Sequence, residues 1–511
     1  MILQSIIFSD DICKENEIFF RVYGGADPLE MFKDKELHIP AGVSVSFDAY
    51  MNIFDLKKWR GLTGMDEVYL KAECEGEGTL RVFFMDTGKK KMVAERHFDP
   101  SSDGEAGLFF NIKDGEGYLQ VEAEADGEFV IRSMSFCVSD APVNNVNLAA
   151  VICTYGRRDK VLATIERLSG IKDLSLYVVD NKKELPEKKD AALTICQNEN
   201  TGGSGGFTRG LELIREDHDK KNFSHVIFID DDAFVNTEAI KRTHALLSFL
   251  KPEYADRSLA GRMFLTEEPW VQHTAVEIWN GGDIRHIEGS WDMRRRENLP
   301  EINDADGGEY GGFWYSCVPY SFAKDNDPLP LFLHCDDVEY GLRQGKEPII
   351  LNGIQVWHES PLRRGTHIAA YYDIRNSMIV NSLGYDGKSV EKASAFIFKE
   401  WRKKLDLYRE NHDIDSENMA LLAMEDFLKG PGWVYKADGG KLHEELLNKR
   451  SVEAIGKRVL RLAVKLPYGK INEMKRARTE NTAVKELKKT VNEYRIWSKE
   501  KQVTDYEDEN I

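Results

Sequence analysis

The sequence predicts an α/β fold built on a doubly wound parallel sheet, with an all-β region before it and helices after it. Three observations carry this. Residues 1 to about 143 hold short alternating polar and apolar runs between Gly and Asp turns, the pattern of half-buried strands. Beyond them, apolar strands alternate with helical segments, which implies parallel pairing through crossover connections. From Tyr371 onward the chain is mostly helical. The expected domains are 1–143, 144–384 and 385–511, because 511 residues are too many for one core.

Composition narrows the class. With 42% hydrophobic and 31% charged residues the chain reads as a soluble globular protein. No apolar stretch approaches the roughly 20 residues of a membrane span. The start, MILQSIIFSDD, lacks the basic flank of a signal peptide. Cys13, Cys74, Cys137, Cys153, Cys196, Cys317 and Cys335 form no CxxC pair and predict reduced thiols in a cytoplasmic protein. A net charge of -18 disfavours nucleic acid as a partner, and means that a bound nucleotide diphosphate needs a local metal or arginines.

In order, the segments VSVSFDAYMN (43–52), TLRVFFMD (79–86), YLQVEAEAD (118–126) and EFVIRSMSFCV (128–138) predict a β-sandwich, either a sugar-binding module or a packing platform. Strand VNLAAVICTY (146–155) leads through Gly156-Arg157-Arg158-Asp159 into the helix KVLATIERLSG. Strand LSLYVVD (174–180) ends at Asp180-Asn181, and ALTICQN follows. Gly202, Gly203, Gly205 and Gly206 then open a helix from about Phe207 to Glu216. No Walker lysine and no GxGxxG spacing accompany them. Their plainest roles are close backbone approach to a ligand at a helix N-terminus, or a tight turn.

The strand Val226-Ile227-Phe228-Ile229 ends in Asp230-Asp231-Asp232. Three adjacent carboxylates repel one another. A solvated loop or a helix N-cap is the ordinary reading. Their place at a strand's C-terminal end, where open α/β sheets bind ligands, favours a metal, with Asp230 and Asp232 on one side of the turn. Asp180, Asn200 and Asp230 all lie just beyond strand ends, which converge on one crevice fit for a nucleotide.

Residues 291–316 are polar and glycine-containing, the mark of a mobile loop, closed by Trp314 and Tyr315, whose rings stack on sugars if exposed. LPLFLHCDDVEYGLRQG (329–345) runs an apolar strand into Asp336-Asp337 and a helix, one carboxylate capping the helix and the other facing the cleft. His358 follows a strand. A lone histidine is usually structural, but beside carboxylates it is a candidate third ligand. Between Lys441 and Arg478 there are eleven Lys or Arg against four Glu. There KRVLRLAVKLP (457–467) reads either as an ordinary surface helix or as a peripheral anchor on an anionic membrane leaflet.

Together FDAYMNIFDLKKWR, CTYGR, NENTGGSGGFTRG, FIDDDAF, HCDDVEYGLR, VWHES, YYDIRN and AMEDFLKGP resemble the GT-A glycosyltransferases of family 2. More narrowly they resemble the bacterial polymerising galactofuranosyltransferases, which join a β-sandwich, a GT-A domain and a helical C-terminal region. The resemblance implies that Arg157, Asp180 and Asn200 contact a uridine nucleotide. It implies that Asp230, Asp232 and His358 hold Mn²⁺ or Mg²⁺ on the diphosphate. Asp337 is then the general base, beside Asp336, and Trp314 and Tyr315 form an acceptor wall. Tyr315 stands where a second tryptophan is expected, and Cys335 where a larger side chain is usual; both departures bear on acceptor choice.

The expected function is inverting, metal-dependent transfer of galactofuranose from UDP-galactofuranose to a hydroxyl of a growing cell-surface glycan. The acceptor is expected to be lipid-linked, with peripheral contact at the inner membrane leaflet, and the enzyme a homo-oligomer. The alternatives are transfer of rhamnose or a pyranose, or a non-catalytic glycan-binding protein. Filled nucleotide, metal and base positions speak against the last.

Overall fold

Two long antiparallel strands organise the first part of the computed structural model, which describes residues 1–65, 67–86, 88–99, 104–110, 116–304, 307–360, 367–448 and 473–507. Strands β1 (Tyr69–Asp86) and β2 (Tyr118–Cys137) pair along their length. Their alternation sends Leu70, Ala72, Leu80 and Val82, with Leu119, Val121, Ile131 and Phe136, into the core. The sequence divides β2 at Asp126-Gly127; the structure runs it through. A bulge is the reason, for the register shifts between Ala125 and Phe129. Opposite it, a Cβ on Gly76 would stand 1.9 Å from the Glu128 carbonyl oxygen, so only glycine lets the backbones approach. All ten strands described here join one antiparallel sheet. The region is all-β as expected, its strands linked through β1 and β2, but VSVSFDAYMN supplies only the short strand Ser44–Ser46 before a buried loop.

The second sheet has the predicted winding. β3 (Leu148–Thr154), helix α1 (Arg158–Leu168), β4 (Leu174–Asp180), β5 (Leu193–Gln197), helix α2 (Gly202–Lys221) and β6 (His225–Asp230) follow in order. Pairing is parallel from β5 through β4 and β3 to β6, with antiparallel Ser316–Pro319 beyond. The winding reverses between β3 and β6, which opens a crevice at their C-terminal ends. β4 is buried at all seven positions, as a strand covered on both faces must be. Helix α2 begins five residues before the expected Phe207, because its glycines belong to its packing face. A Cβ on Gly206 would stand 2.0 Å from Cys153 Sγ, and one on Gly210 2.2 Å from Val151 Cγ1. Glycine every fourth residue lets α2 lie directly on β3.

Two cores result. The first runs from the N-terminal sheet through the central sheet to Trp357, so the sequence boundary at 143 is no break in packing. Arg242, fully buried, ties the parts together by donating to Glu238 and to the carbonyls of Ser5, Met51 and Asn352. The second core joins Tyr310, Leu331, Phe332 and Val338, the last on α3 (Asp336–Gln344), to the C-terminal helices. β7 (Gln355–His358) crosses back to the first core before those helices begin. They include α4 (His367–Leu383), α5 (Val390–Glu410), α6 (Ile414–Phe427), α7 (Gly439–Leu447) and α8 (Glu473–Glu507), with a short turn of helix at Pro431–Lys436. The basic run 457–467 lies outside the described residues. Among those described, no helix is long and apolar enough to cross a membrane.

Candidate active site

The acidic triplet divides its work. β7 pairs antiparallel with Phe234–Val235, Phe234 opposite Trp357, so the next residue, His358, returns over the triplet. His358 Nε2 lies 3.1 Å from Asp232 Oδ1 and 3.7 Å from Asp230 Oδ2. Its Nδ1 is 2.8 Å from the Glu359 carbonyl. A carbonyl only accepts, so Nδ1 carries a proton and Nε2 is left as a buried nitrogen with no hydrogen-bond partner. Ligand atoms of Asp230, Asp232 and His358 all fall within 4.8 Å of one another. Electron-rich atoms this close need positive charge between them. A second imidazole proton would balance one carboxylate; a divalent cation balances both and takes oxygen and imidazole ligands. The residues therefore fit a divalent metal.

Asp231 turns the other way. It accepts from Thr154 Oγ1 at 2.8 Å, Tyr155 N at 3.3 Å and Arg157 Nη1 at 2.6 Å, while Arg157 Nη2 sits 3.4 Å from Asp232 Oδ2. The middle aspartate thus ties the β3–α1 loop to the triplet and sets Arg157 beside the metal ligands. Asp180 departs from expectation. It is 1% exposed, and its oxygens accept from the backbone N–H groups of Lys182, Lys183 and Leu185. Its carboxylate shapes its own loop at the end of β4. Asn200 is half-buried and accepts from Gly202 N at 3.2 Å. Tyr155, passed over in the sequence, is 57% exposed at the end of β3, an open ring on which a base can stack.

The glycine turn approaches protein backbone rather than open space. Gly203 N donates to Phe332 O at 2.9 Å, and Ser204 Oγ accepts from Phe332 N at 2.9 Å. Gly202 has φ +72°, and a Cβ there would stand 2.1 Å from Phe332 O. The clasped segment is itself strained. Phe332, His334 and Cys335 hold φ of 74°, 63° and 63°, at a cost of about 1–3 kcal/mol each. Arg375 Nη2 donates to Leu331 O at 2.7 Å, and Asn376 Nδ2 lies 2.7 and 2.9 Å from the Leu333 and His334 carbonyls. Tyr371 donates to fully buried Asp426 at 2.6 Å. YYDIRN and the Asp of AMEDFLKGP are therefore a clamp on this segment.

What the clamp presents is Asp336-Asp337, the first two residues of α3. Asp337 Oδ1 accepts from Val338 N at 2.7 Å. Burial, followed by the nearby charge of Asp336, Glu277 and Asp230, holds the Asp337 carboxyl well above its usual range, and burial raises Asp336 as well. Glu277, like Tyr155, is a residue that sequence reasoning missed. It is 3% exposed and hydrogen-bonds His286 Nδ1 at 2.9 Å. A carboxylate between apolar Val276 and Ile278 was its only signal. Tyr315 is a correction: it is fully buried, its hydroxyl 2.7 Å from Thr243 Oγ1, so it is core rather than acceptor wall. Trp314 stays half-buried, donating Nε1 to Gly261 O at 2.9 Å.

The N-terminal sheet reaches this site from behind. Tyr50 donates to Gln355 on β7 at 3.2 Å, and Asn352 donates to the Tyr50 and Ile53 carbonyls. FDAYMNIFD thereby holds the strand that carries His358, a platform's role. The expected mobile loop is pinned too: Arg296 pairs with Asp48, and Asn303 donates to Asp55 at 2.8 Å.

Residues 25–138 match the family described as Galactofuranosyltransferase 2 N-terminal. Galactofuranosyltransferase GlfT2 of Mycolicibacterium smegmatis is 27% identical over 437 residues, 77% of this chain and 65% of the relative. Galactofuranosyltransferase GlfT2 of Mycobacterium tuberculosis is 24% identical over 452 residues, 78% of this chain and 67% of the relative. The chain thus spans about two thirds of the length of these relatives. The chain is thus similar in sequence, in its N-terminal part and along about three quarters of its length, to proteins described as galactofuranosyltransferases.

Proposed function

We propose that the protein transfers galactofuranose from UDP-galactofuranose to a hydroxyl of a growing glycan, with inversion at the anomeric carbon. The observation that carries this reading is the unpartnered His358 Nε2 facing Asp230 and Asp232, in electrostatic reach of a carboxyl, Asp337, that burial makes a stronger base. Asp230, Asp232 and His358 would hold Mn²⁺ or Mg²⁺. When bound, the cation supplies neutralisation of the charge that develops on the UDP leaving group.

The chain's own groups do the rest. Arg157, fixed by Asp231, keeps guanidinium donors beyond those it spends on the two aspartates, available to diphosphate oxygens. Asp337 takes the acceptor hydroxyl's proton on a carboxylate oxygen as that hydroxyl oxygen bonds to the anomeric carbon. The anomeric carbon's bond to the phosphate oxygen breaks, and its electron pair leaves with UDP from the opposite face. One displacement needs one base and no covalent intermediate. A lipid-linked acceptor at an anionic inner leaflet belongs to the proposal on the basic run between Lys441 and Arg478 alone.

A screen of UDP- and dTDP-sugars, read as nucleotide release with a galactofuranosyl acceptor, tests it. UDP-galactofuranose is expected to be the productive donor. Turnover with dTDP-rhamnose or a UDP-pyranose in its place would overturn the donor assignment.

A further inference from the structure

Tyr310 is seated between the strand that carries Glu277 and helix α3. It pairs with Glu277 across an antiparallel bridge, Tyr310 N donating to the Glu277 carbonyl at 3.2 Å and Glu277 N to the Tyr310 carbonyl at 3.0 Å. Residues directly opposite in such a pair send their side chains to the same face. On α3 the residue rests against Gly341, where a Cβ would stand 2.3 Å from Tyr310 Cβ. Gly341 lies one helical turn past Asp337, so the carboxyl and the tyrosine's seat share a face of α3.

The tyrosine is 1% exposed, yet its hydroxyl has no hydrogen-bond partner among the described residues. A buried unpaired hydroxyl destabilises a fold, and phenylalanine would fill the same space without that cost. Burial, followed by the charge of Glu277 and Asp337, holds the phenol well above its ordinary value, so it stays an O–H donor.

The carboxyl beside it needs such a donor. Asp336, Glu277 and Asp230 all act on Asp337 with like charge. Cys335, close to both Tyr310 and Asp337, is kept a neutral thiol by burial. His286 Nδ1 lies 2.9 Å from Glu277 Oε1, and His334, paired with Asp373, is in electrostatic reach of Asp336 and Asp337. A base must be ionised before it takes a proton, and burial among carboxylates opposes that. Val338 N serves Asp337 Oδ1 at 2.7 Å, which leaves further lone pairs of the carboxylate open.

We infer that Tyr310 is a positioning residue for Asp337: its hydroxyl turns to donate to the Asp337 carboxylate when that group is ionised, and holds the base charged and oriented for the acceptor hydroxyl. The inference rests on the transfer reading, in which Asp337 is the base, and adds the group that keeps that base ready. Tyr310 touches no substrate and keeps its own proton throughout. The bond it donates weakens as Asp337 takes the proton of the acceptor.

The test is Tyr310→Phe, which removes the hydroxyl and keeps the ring. With UDP-galactofuranose and a galactofuranosyl acceptor, kcat should fall about tenfold, the scale of one hydrogen bond to a charged group, while donor KM stays within about twofold. In the Asp337→Asn background the same substitution should lower the remaining kcat by less than about twofold, because the hydroxyl acts through that carboxylate. Unchanged kcat in Tyr310→Phe, or a tenfold loss that persists in the Asp337→Asn background, overturns the inference. If the wild type releases UDP from no donor, the transfer reading has failed on its own, and urea unfolding of metal-free protein decides the pairing. The fall in urea midpoint caused by Tyr310→Phe should then grow as pH rises through the titration of Asp337, and should be flat with pH in the Asp337→Asn background. A fall that does not change with pH in the wild-type background refutes the pairing.

Discussion

Replacing Asp231 separates the two jobs of the acidic triplet. In Asp231→Ala, Thr154 Oγ1 loses its acceptor in a buried site, a loss of about 1–3 kcal/mol. The Tyr155 N–H, at 3.3 Å, loses a long bond and contributes less. Arg157 is 37% exposed, so water screens its pair with Asp231 and the loss there stays below about 1 kcal/mol. The total is about 2–4 kcal/mol, read from urea unfolding. Asp231→Asn keeps an acceptor oxygen and should cost roughly half as much. Mn²⁺ affinity, followed by electron paramagnetic resonance, should survive largely intact in Asp231→Asn. It should fall at least tenfold, about 1.4 kcal/mol, in Asp230→Asn. Should Asp231→Asn lose Mn²⁺ as fully as Asp230→Asn, the middle aspartate is a ligand and the division argued here is wrong.

Asp337→Asn should lower turnover about a hundredfold or more while UDP-sugar affinity holds, checked by steady-state rates against calorimetric binding. In the wild type the rate should fall as pH drops through the raised Asp337 value, because a protonated carboxyl accepts nothing. The same raised value means that the folded state binds the extra proton, so metal-free protein loses stability as pH climbs from the ordinary 3.8 toward that value and then levels off. Asp337→Asn should flatten this slope in urea unfolding at several pH values. Gly206→Ala should cost about 1–3 kcal/mol, because its Cβ would meet Cys153 Sγ at 2.0 Å and lift α2 off β3; thermal unfolding at wild-type stability would contradict that packing. Tyr315→Phe should cost about 1 kcal/mol for the lost Thr243 bond and leave acceptor KM unmoved, whereas a raised KM would return Tyr315 to the acceptor wall.

The central sheet was legible because each strand covered on both faces is an uninterrupted apolar run. LSLYVVD ends where β4 ends. The triplet was legible for the same reason, as charge directly after such a run. Glycines misled wherever they serve packing. Asp126-Gly127 read as a turn, but Gly76 opposite absorbs a bulge inside one strand. Gly311 and Gly312 suggested exposure for Tyr315. Instead, a Cβ on Gly311 would stand 2.5 Å from Ala260 Cβ, and one on Gly261 2.6 Å from the Tyr315 side chain, so glycine here seats a ring against backbone. The spacing Gly202, Gly206, Gly210 held the signal of a helix face, but it was read as a turn. Asp180 looked like a cleft residue because it ends a strand. Three backbone N–H groups that the following loop turns back on it are not visible in composition. Glu277 lies in a short strand with no motif around it, and only the tertiary fold brings that strand to α3.

Calorimetric titration of UDP with and without Mn²⁺ tests the central claim most directly, in the wild type, Asp230→Asn, Asp232→Asn and His358→Ala. The account predicts UDP binding that depends on Mn²⁺ in the wild type and loses that dependence in each variant while thermal unfolding stays cooperative. UDP affinity in the wild type that is the same with and without Mn²⁺, or Mn²⁺-dependent binding that survives in all three variants, would contradict it.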